Sequence, residues 1–308
     1  MMKRCLVWAV VLHGALAHAQ QEQQTESTPL HRLVHRHALL VRYNPLGLVY
    51  DGRVAWRLRL YEHASRALRD NFVSLGVALN VTPANLRVGP VLELNPATVL
   101  SLAATVRFVQ FFGTFNNLQG FPGAQAEYSE STLRANADHR LVTNGWDAML
   151  SATLQAKVWS LVARNSARLI YESQRLHDGD RVFYDGTFDV LAPNRGWFFI
   201  DDAELGYQTP DGKLIIGARY TATVPLYEPA RHDDPLLGAE PANDTHRVGP
   251  FAAYTFFTQE GARLNAPTVF VAVQWWVKHR YRAGAESSAA LPLIGAGFQI
   301  TGDLLPAK

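Results

Sequence analysis

Apolar and polar residues alternate with a period of two over stretches of about ten residues, and this alternation constrains the fold more than any other feature. The segment WRLRLY (56–61) places Trp56 and two leucines on one face and two arginines on the other. MLSATLQAKV (149–158) and NFVSLGVALN (71–80) alternate in the same way. Successive side chains of a β-strand point to opposite faces, so these stretches predict strands with one apolar and one mixed face.

Three features favour a transmembrane β-barrel over a soluble β-sandwich, which would show the same alternation. The candidate strands run about ten residues or more, as a tilted membrane-crossing strand requires, whereas sandwich strands are nearer five or six. Their polar faces are rich in Ser, Thr, Gly, Arg and Gln, as a solvated lumen would be. Tryptophans lie near strand ends, where a barrel carries membrane-interface aromatics. These interface candidates are Trp56, Trp146, Trp159, Trp197, Trp275 and Trp276.

The fold class predicted is all-β, a single antiparallel transmembrane β-barrel of about twelve strands, with about ten to fourteen possible. An even strand number places both termini in the periplasm, short turns on that side and longer loops outside. The candidate strands are 33–44, 53–62, 71–80, 85–94, 98–110, 147–160, 168–176, 197–208, 213–224, 246–257, 268–280 and 291–302.

The segment DRVFYDGTFDVLAPNRGWFF (180–199) could form an additional hairpin, and the strand count decides its interpretation. A thirteenth strand would make the count odd and would send 111–146 and 225–245 to opposite sides of the membrane. We therefore expect 177–196 to be an external loop, with a locally paired β-arm. The segment 161–167 is expected to be a short periplasmic link.

The chain begins with the features of a cleaved secretory signal. Lys3 and Arg4 precede a short apolar run, and a small-x-small motif predicts cleavage between Ala19 and Gln20. Cys5, the one cysteine, would leave with this segment, and the basic and acidic residues that remain balance, which gives no argument for nucleic acid. The predicted organisation is a signal peptide (1–19), a flexible periplasmic tail (20–32), the barrel (33–302) and a C-terminal tail (303–308).

Alternation also predicts which charged side chains line the lumen. A surplus of fixed positive charge would favour anions, while Arg–Glu networks that only brace the wall are the alternative. Both interpretations stay open. The lumen candidates are Arg42, Arg53, Arg57, Arg59, Arg87, Arg107, Lys157, Arg168, Arg219, Glu93, Glu172 and Glu204.

No catalytic or metal site is predicted, and no cofactor. His63 and Ser65 fall in a periplasmic turn, where no strand supplies a serine–histidine pair. His35 and His37 would share a strand face, but no third ligand of matching geometry can be named. The acidic residues of the external loops, Asp185 and Asp189 among them, are expected to be solvated.

With these patterns the chain resembles the outer-membrane β-barrel proteins of Gram-negative bacteria, over most of its length after the signal. The resemblance implies an outer-membrane location, contact with the lipid bilayer and insertion by the outer-membrane assembly machinery. Similar twelve-stranded proteins include narrow channels and a phospholipase, whose His-Ser pair within one strand is missing here. We expect a narrow passive channel with a basic, anion-preferring lumen. The alternatives are a closed structural or adhesive barrel that binds a partner through its external loops and, third, a lipid hydrolase.

Overall fold

Twelve long antiparallel strands close into one barrel in the computed structural model, which describes residues 29–227 and 242–305. The first and last strands pair with each other, Val34 opposite Asp303, so the sheet has no free edge. The strands described are β1 (His31–Tyr43), β2 (Gly47–Arg59), β3 (Phe72–Val81), β4 (Asn85–Ala97), β5 (Leu100–Phe112), β6 (Gln119–Phe121), β7 (Val142–Val158), β8 (Leu161–Gln174), β9 (Val182–Asp185), β10 (Val190–Pro193), β11 (Gly196–Gln208), β12 (Leu214–Leu226), β13 (Thr245–Thr255), β14 (Asn265–Lys278) and β15 (Leu293–Asp303).

The predicted antiparallel barrel of about twelve strands is confirmed, in the order β1, β15, β14, β13, β12, β11, β8, β7, β5, β4, β3, β2. Strands β2 and β7 begin five or six residues before their predicted starts, at Gly47 and Val142. The largest error is at 161–167, which is not a link but the first half of β8, paired residue by residue with β7 and β11. The alternation is hidden there because Arg164 and Ser166 face inward while Asn165 faces outward. The predicted signal (1–19), most of the tail (20–32) and residues 306–308 lie outside the described residues.

The two faces of the barrel differ as the alternation predicts. Outward positions are mostly Leu, Val, Ile, Phe and Ala, and large apolar side chains such as Leu75, Val77 and Ile216 stay exposed there. Inward positions carry the charged and hydroxyl side chains. An apolar outer face suits hydrocarbon, which cannot hydrogen-bond exposed polar groups. Within the described segments, no helix is long and apolar enough to cross a membrane.

The two ends of the barrel also differ. The first described residue of β1 and the last of β15 lie at the turn end, where 98–99, 159–160 and 209–213 connect strands directly. Helix α1 (Arg66–Arg69) lies in the longer connection at that end. The opposite end, called here the loop end, carries the long connections 113–141, 175–195 and 279–292, and part of 227–244.

The loop end is filled by a folded plug, defined as residues 113–141, 175–195 and 279–292. Strands β6, β9 and β10 form a small sheet in the order β10, β9, β6, and the plug also holds α2 (Glu130–Ala135) and a 3₁₀ turn (Ala137–His139). Phe183 and Val190 of the plug are fully buried against Val109 and Ile170 of the wall. The expected paired β-arm is therefore present, but it packs inside the barrel mouth rather than in solvent.

Candidate functional site: the lumen and its plug

Below the plug, one wall of the lumen is built by arginines of β1 and β2 with a carboxylate of β4. Arg53 Nη1 lies 3.3 Å and Arg57 Nη2 3.9 Å from Glu93 Oε2, so two guanidinium groups share one acid. Next to them, Arg36 pairs with Asp51 at 2.9 Å. These five residues, the Glu93 cluster, have one positive charge in excess.

A second wall, formed by β8, β11, β12 and β13, carries the Asp202 cluster. Arg219 contacts both acids of this cluster, Asp202 at 2.7 Å and Glu204 at 3.0 Å. Arg168 pairs with Asp202 and Arg164 with Glu204. Arginine thus again outnumbers carboxylate on this wall.

Arg247, beside the Asp202 cluster, pairs with no carboxylate among the described residues. Its Nε donates to Gln274 Oε1 at 3.1 Å, and its guanidinium lies 5.3 Å from the Trp276 ring centre. The ring contact orients the cation without neutralising it. Together the two walls bring seven arginines toward four carboxylates.

Solvent reaches these walls but not the apolar interior of the plug. Arg53, Arg57, Arg164, Arg168 and Arg219 keep 24–31% of their side-chain surface exposed although they face the inside of a closed barrel. Charged groups need hydration or a partner, and solvent that enters the barrel can hydrate the exposed part of these guanidinium groups, although the Nε atoms of Arg57, Arg164 and Arg168 are buried without a hydrogen-bond partner. The region between plug and turn end is therefore a wet, positively charged chamber.

The plug is tied to the wall by the Arg87 cluster, in which the guanidinium of Arg87 is 2% exposed. Its two Nη atoms lie 2.6 Å from Glu172, 2.7 Å from Asp185 and 3.2 Å from Asp147. Arg107 donates two hydrogen bonds to Asp147, at 2.8 and 3.0 Å. Since Asp185 belongs to β9 of the plug and the others to wall strands, the buried ion pairs join the two.

A second set of buried polar contacts, the Asp189 cluster, joins segment 175–195 of the plug to segment 279–292. Tyr184 donates to Asp189 Oδ1 at 2.8 Å, and Arg282 forms two hydrogen bonds with the same carboxylate. His279 accepts at Nδ1 from the N–H groups of Tyr281 and Arg282, so its Nε2 carries the proton and donates to Asp189 at 3.2 Å. Burial alone would raise the pKa of Asp189, but His279 and Arg282 outweigh it and hold that pKa well below its ordinary value.

The expectation that the loop acids are solvated is wrong for Asp185 and Asp189, which are buried. Arg42 also differs from a free lumen cation, because it donates to the backbone carbonyls of Gly186 and Thr187 and so holds the β9–β10 turn. Sequence alternation cannot reveal contacts of this kind, since they join residues about 100 positions or more apart.

The remaining lumen candidates lie on inward positions but do not form one site. Arg59 pairs with Glu62 toward the turn end, and Lys157 is exposed there. Among the charged residues that line these walls, sequence reasoning missed six: Arg36, Asp51, Asp147, Arg164, Asp202 and Arg247. Asp147 lies an even number of residues from Lys157 on the same strand, and Asp202 from Glu204. Each acid therefore shares the inner face with a predicted lumen residue, so alternation could have found both.

Five of the six interface tryptophans lie on the outer face, with 38–89% of their surface exposed. Trp146 and Trp197 contact Tyr171, the first tilted and the second edge-on, with ring centres 5.0 and 5.2 Å from it, and form an outer belt near the loop end. Trp276 is 4% exposed and faces inward, against Arg247 and His279. Its expected interface position is wrong because neighbouring residues of a strand cannot both face outward, and Trp275 does so.

The other candidate chemical groups take structural roles. His63 Nδ1 accepts from the backbone N–H of Ser65, so no serine hydroxyl is involved. His35 contacts the carbonyl of Arg263 and His37 the hydroxyl of Tyr50, each at 2.7 Å. Among the described residues, no group of three or more potential metal ligands converges.

The closed sheet, the apolar outer face and the tryptophan belt define an outer-membrane β-barrel. No family model matches the chain, and no curated protein matches it.

Three solved structures with similar barrels share 9–10% sequence identity with the chain. They are the COG4313 outer membrane channel from Pseudomonas putida F1 (TM-score 0.40, 92% of this chain and 100% of that chain), the KdgM porin in complex with disordered oligogalacturonate (0.36, 87% and 98%) and the outer membrane protein Omp33 from Acinetobacter baumannii (0.35, 90% and 100%).

Proposed function

We propose that the protein is a narrow, non-catalytic passive channel of the outer membrane that prefers small anions and is narrowed at its loop end by the plug. The observation that carries this proposal is the wet chamber, where seven arginines meet four carboxylates. A chamber that served only to brace the wall would not need uncompensated charge. The assembly machinery of the outer membrane would insert such a barrel.

The expected selectivity follows from Coulomb's law. One unit charge acting on a small ion at about 6 Å in water is worth ~0.7 kcal/mol, or about threefold in relative permeability. An excess of about three charges in a confined chamber therefore supports a preference of tenfold or more at low salt. High salt should reduce it, because screening shortens the reach of each charge to about 3 Å at 1 M.

A closed structural or adhesive barrel is the second candidate, and the plug favours it. Its side chains pack as a hydrophobic core against the wall, and buried ion pairs hold it. In that case the loops at the loop end would bind an external partner and the chamber would conduct nothing.

Planar-bilayer recordings of the purified protein separate the two candidates. The channel proposal predicts discrete conductance steps with an anion-selective reversal potential. Glu93→Gln should increase the anion preference and Arg247→Gln should decrease it, because the two changes add and remove one net positive charge in the same chamber. Arg134→Gln, on the exposed face of α2, is the matched arginine control and should leave the reversal potential unchanged.

Equal reversal potentials in the Glu93 and Arg247 variants would contradict the anion preference. Electrical silence of both the native protein and the Arg87→Met variant, in which the plug is released, would contradict the channel itself and favour the closed barrel. Lipid hydrolysis by the purified protein would overturn both in favour of an enzyme.

A further inference from the structure

One carboxylate stands on the outer face of the barrel. Asp201 of β11 lies on the same strand face as Phe199 and Leu205. Leu205 is 59% exposed on the outside, so the Asp201 side chain also points away from the lumen. Its Oδ1 accepts from Asn165 Nδ2 at 2.7 Å, which places Asn165 of β8 on the same face. Among outward positions of the described barrel strands, Asp201 is the only acid.

The pair lies within the hydrocarbon layer rather than at its edge. Asp201 is four residues from Trp197 of the outer belt and six from Tyr207, which is exposed near the turn end. A tilted strand advances ~2.5 Å per residue along the membrane normal, so Asp201 lies ~10 Å below the belt. Lipid chains offer no hydrogen bonds at that depth, so a polar pair facing lipid there is unfavourable.

Several of the side chains around the pair on the outer surface are small. In the strand ladders, Asp201 lies opposite Ala167 and Ala222, and Asn165 lies between Ala203 and Leu154. Beside it is an outer depression of about 420 Å³, whose apolar rim includes Leu150, Leu169 and Phe199. Small side chains let another backbone approach closely, and in membranes polar groups then bond across the contact.

The hydrogen-bonding capacity of the pair is self-complementary. Asp201 Oδ2 accepts from no donor among the described residues, and the amide of Asn165 has a second N–H whose one other contact is the Asp202 carbonyl, at 3.5 Å. A two-fold axis through this surface would pair each free acceptor with the other copy's donor. Isologous contacts of this kind close a dimer.

We propose that the outer faces of β8 and β11 form the contact with a second copy of this chain, with Asn165 and Asp201 hydrogen-bonded across the two-fold axis in the bilayer. The contact lies on the outside of the barrel and is independent of whether the lumen conducts.

Site-directed cross-linking in native outer membranes tests the contact. In a Cys5→Ser background the chain has no other cysteine. Ala203→Cys, beside the axis, should give an oxidised dimer in high yield. Val54→Cys is the matched control, because Val54 is outward, mid-strand and on β2, across the barrel. Equal dimer yields at the two positions would overturn the proposal.

A second measurement separates a second copy from lipid. Sedimentation of the detergent-solubilised protein should show a dimer, and Asp201→Leu should weaken its association by about tenfold or more. The same change should leave resistance to heat unfolding intact, since leucine suits the lipid face. A native protein that is monomeric, or that carries tightly bound lipid at this face as a monomer, would refute the dimer.

Discussion

Replacing Arg87 by methionine should release the plug while the barrel wall stays folded. Methionine approximates the length of the side chain but removes the charge that links Asp185 of the plug to Glu172 and Asp147 of the wall. Three buried carboxylates would then face Arg107 alone. Removing one partner of a buried ion pair costs about 3–5 kcal/mol, because the other is left uncompensated.

A loss of ~4 kcal/mol corresponds to about a thousandfold rise in the ratio of released to docked plug. Hydrogen–deuterium exchange with mass spectrometry can measure this ratio directly. Peptides that cover 182–193 should lose protection by up to about that factor, while peptides from β1 to β3 serve as the internal reference. Arg134→Gln, whose guanidinium is largely exposed, should change protection by less than about fivefold.

A double variant sharpens this test. Adding Asp185→Asn to Arg87→Met removes one of the uncompensated carboxylates, so part of the lost protection should return, as a double-mutant cycle would register. If the Arg87→Met plug exchanges as slowly as the native one, the ion pairs do not hold it. Buried apolar packing and the hydrogen bonds from Arg42 to the β9–β10 turn would then hold it.

Two further outcomes are expected. The depressed pKa of Asp189 means that its contribution to plug stability is complete above its ordinary value of 3.8 and declines as the pH falls toward its lower native pKa. The assay incubates the protein at a chosen pH and then measures tryptic cleavage at Arg181. Cleavage should stay slow after incubation from about pH 8 down to about 4 and should accelerate after incubation at lower pH. Acceleration already at pH 6 would contradict this linkage. Mass spectrometry of the protein from outer membranes should find an N-terminus at Gln20, and an intact Met1 would refute the predicted signal.

Period-two alternation predicted the barrel because it is a local property of a strand between lipid and a polar lumen. The same property placed Arg53, Arg57 and Glu93 on the inner face, and parity of the strand count kept the segment that forms β9 and β10 out of the wall. Alternation failed where both faces carry polar or small residues, as at 161–167 of β8. It was misapplied at Trp276, whose neighbour already faces lipid.

Only the closure of the sheet decided which inward-facing side chains contact one another. Alternation gives the side of the sheet on which a residue lies, but not the residue across the lumen or the loop that folds into it. The pairing of Arg87 with Asp185, 98 positions later, depends on the curvature of the whole barrel and on the packing of the plug. The sequence by itself therefore determined a barrel with a charged interior, and the tertiary structure decided that part of this charge locks a plug while the rest lines a wet chamber.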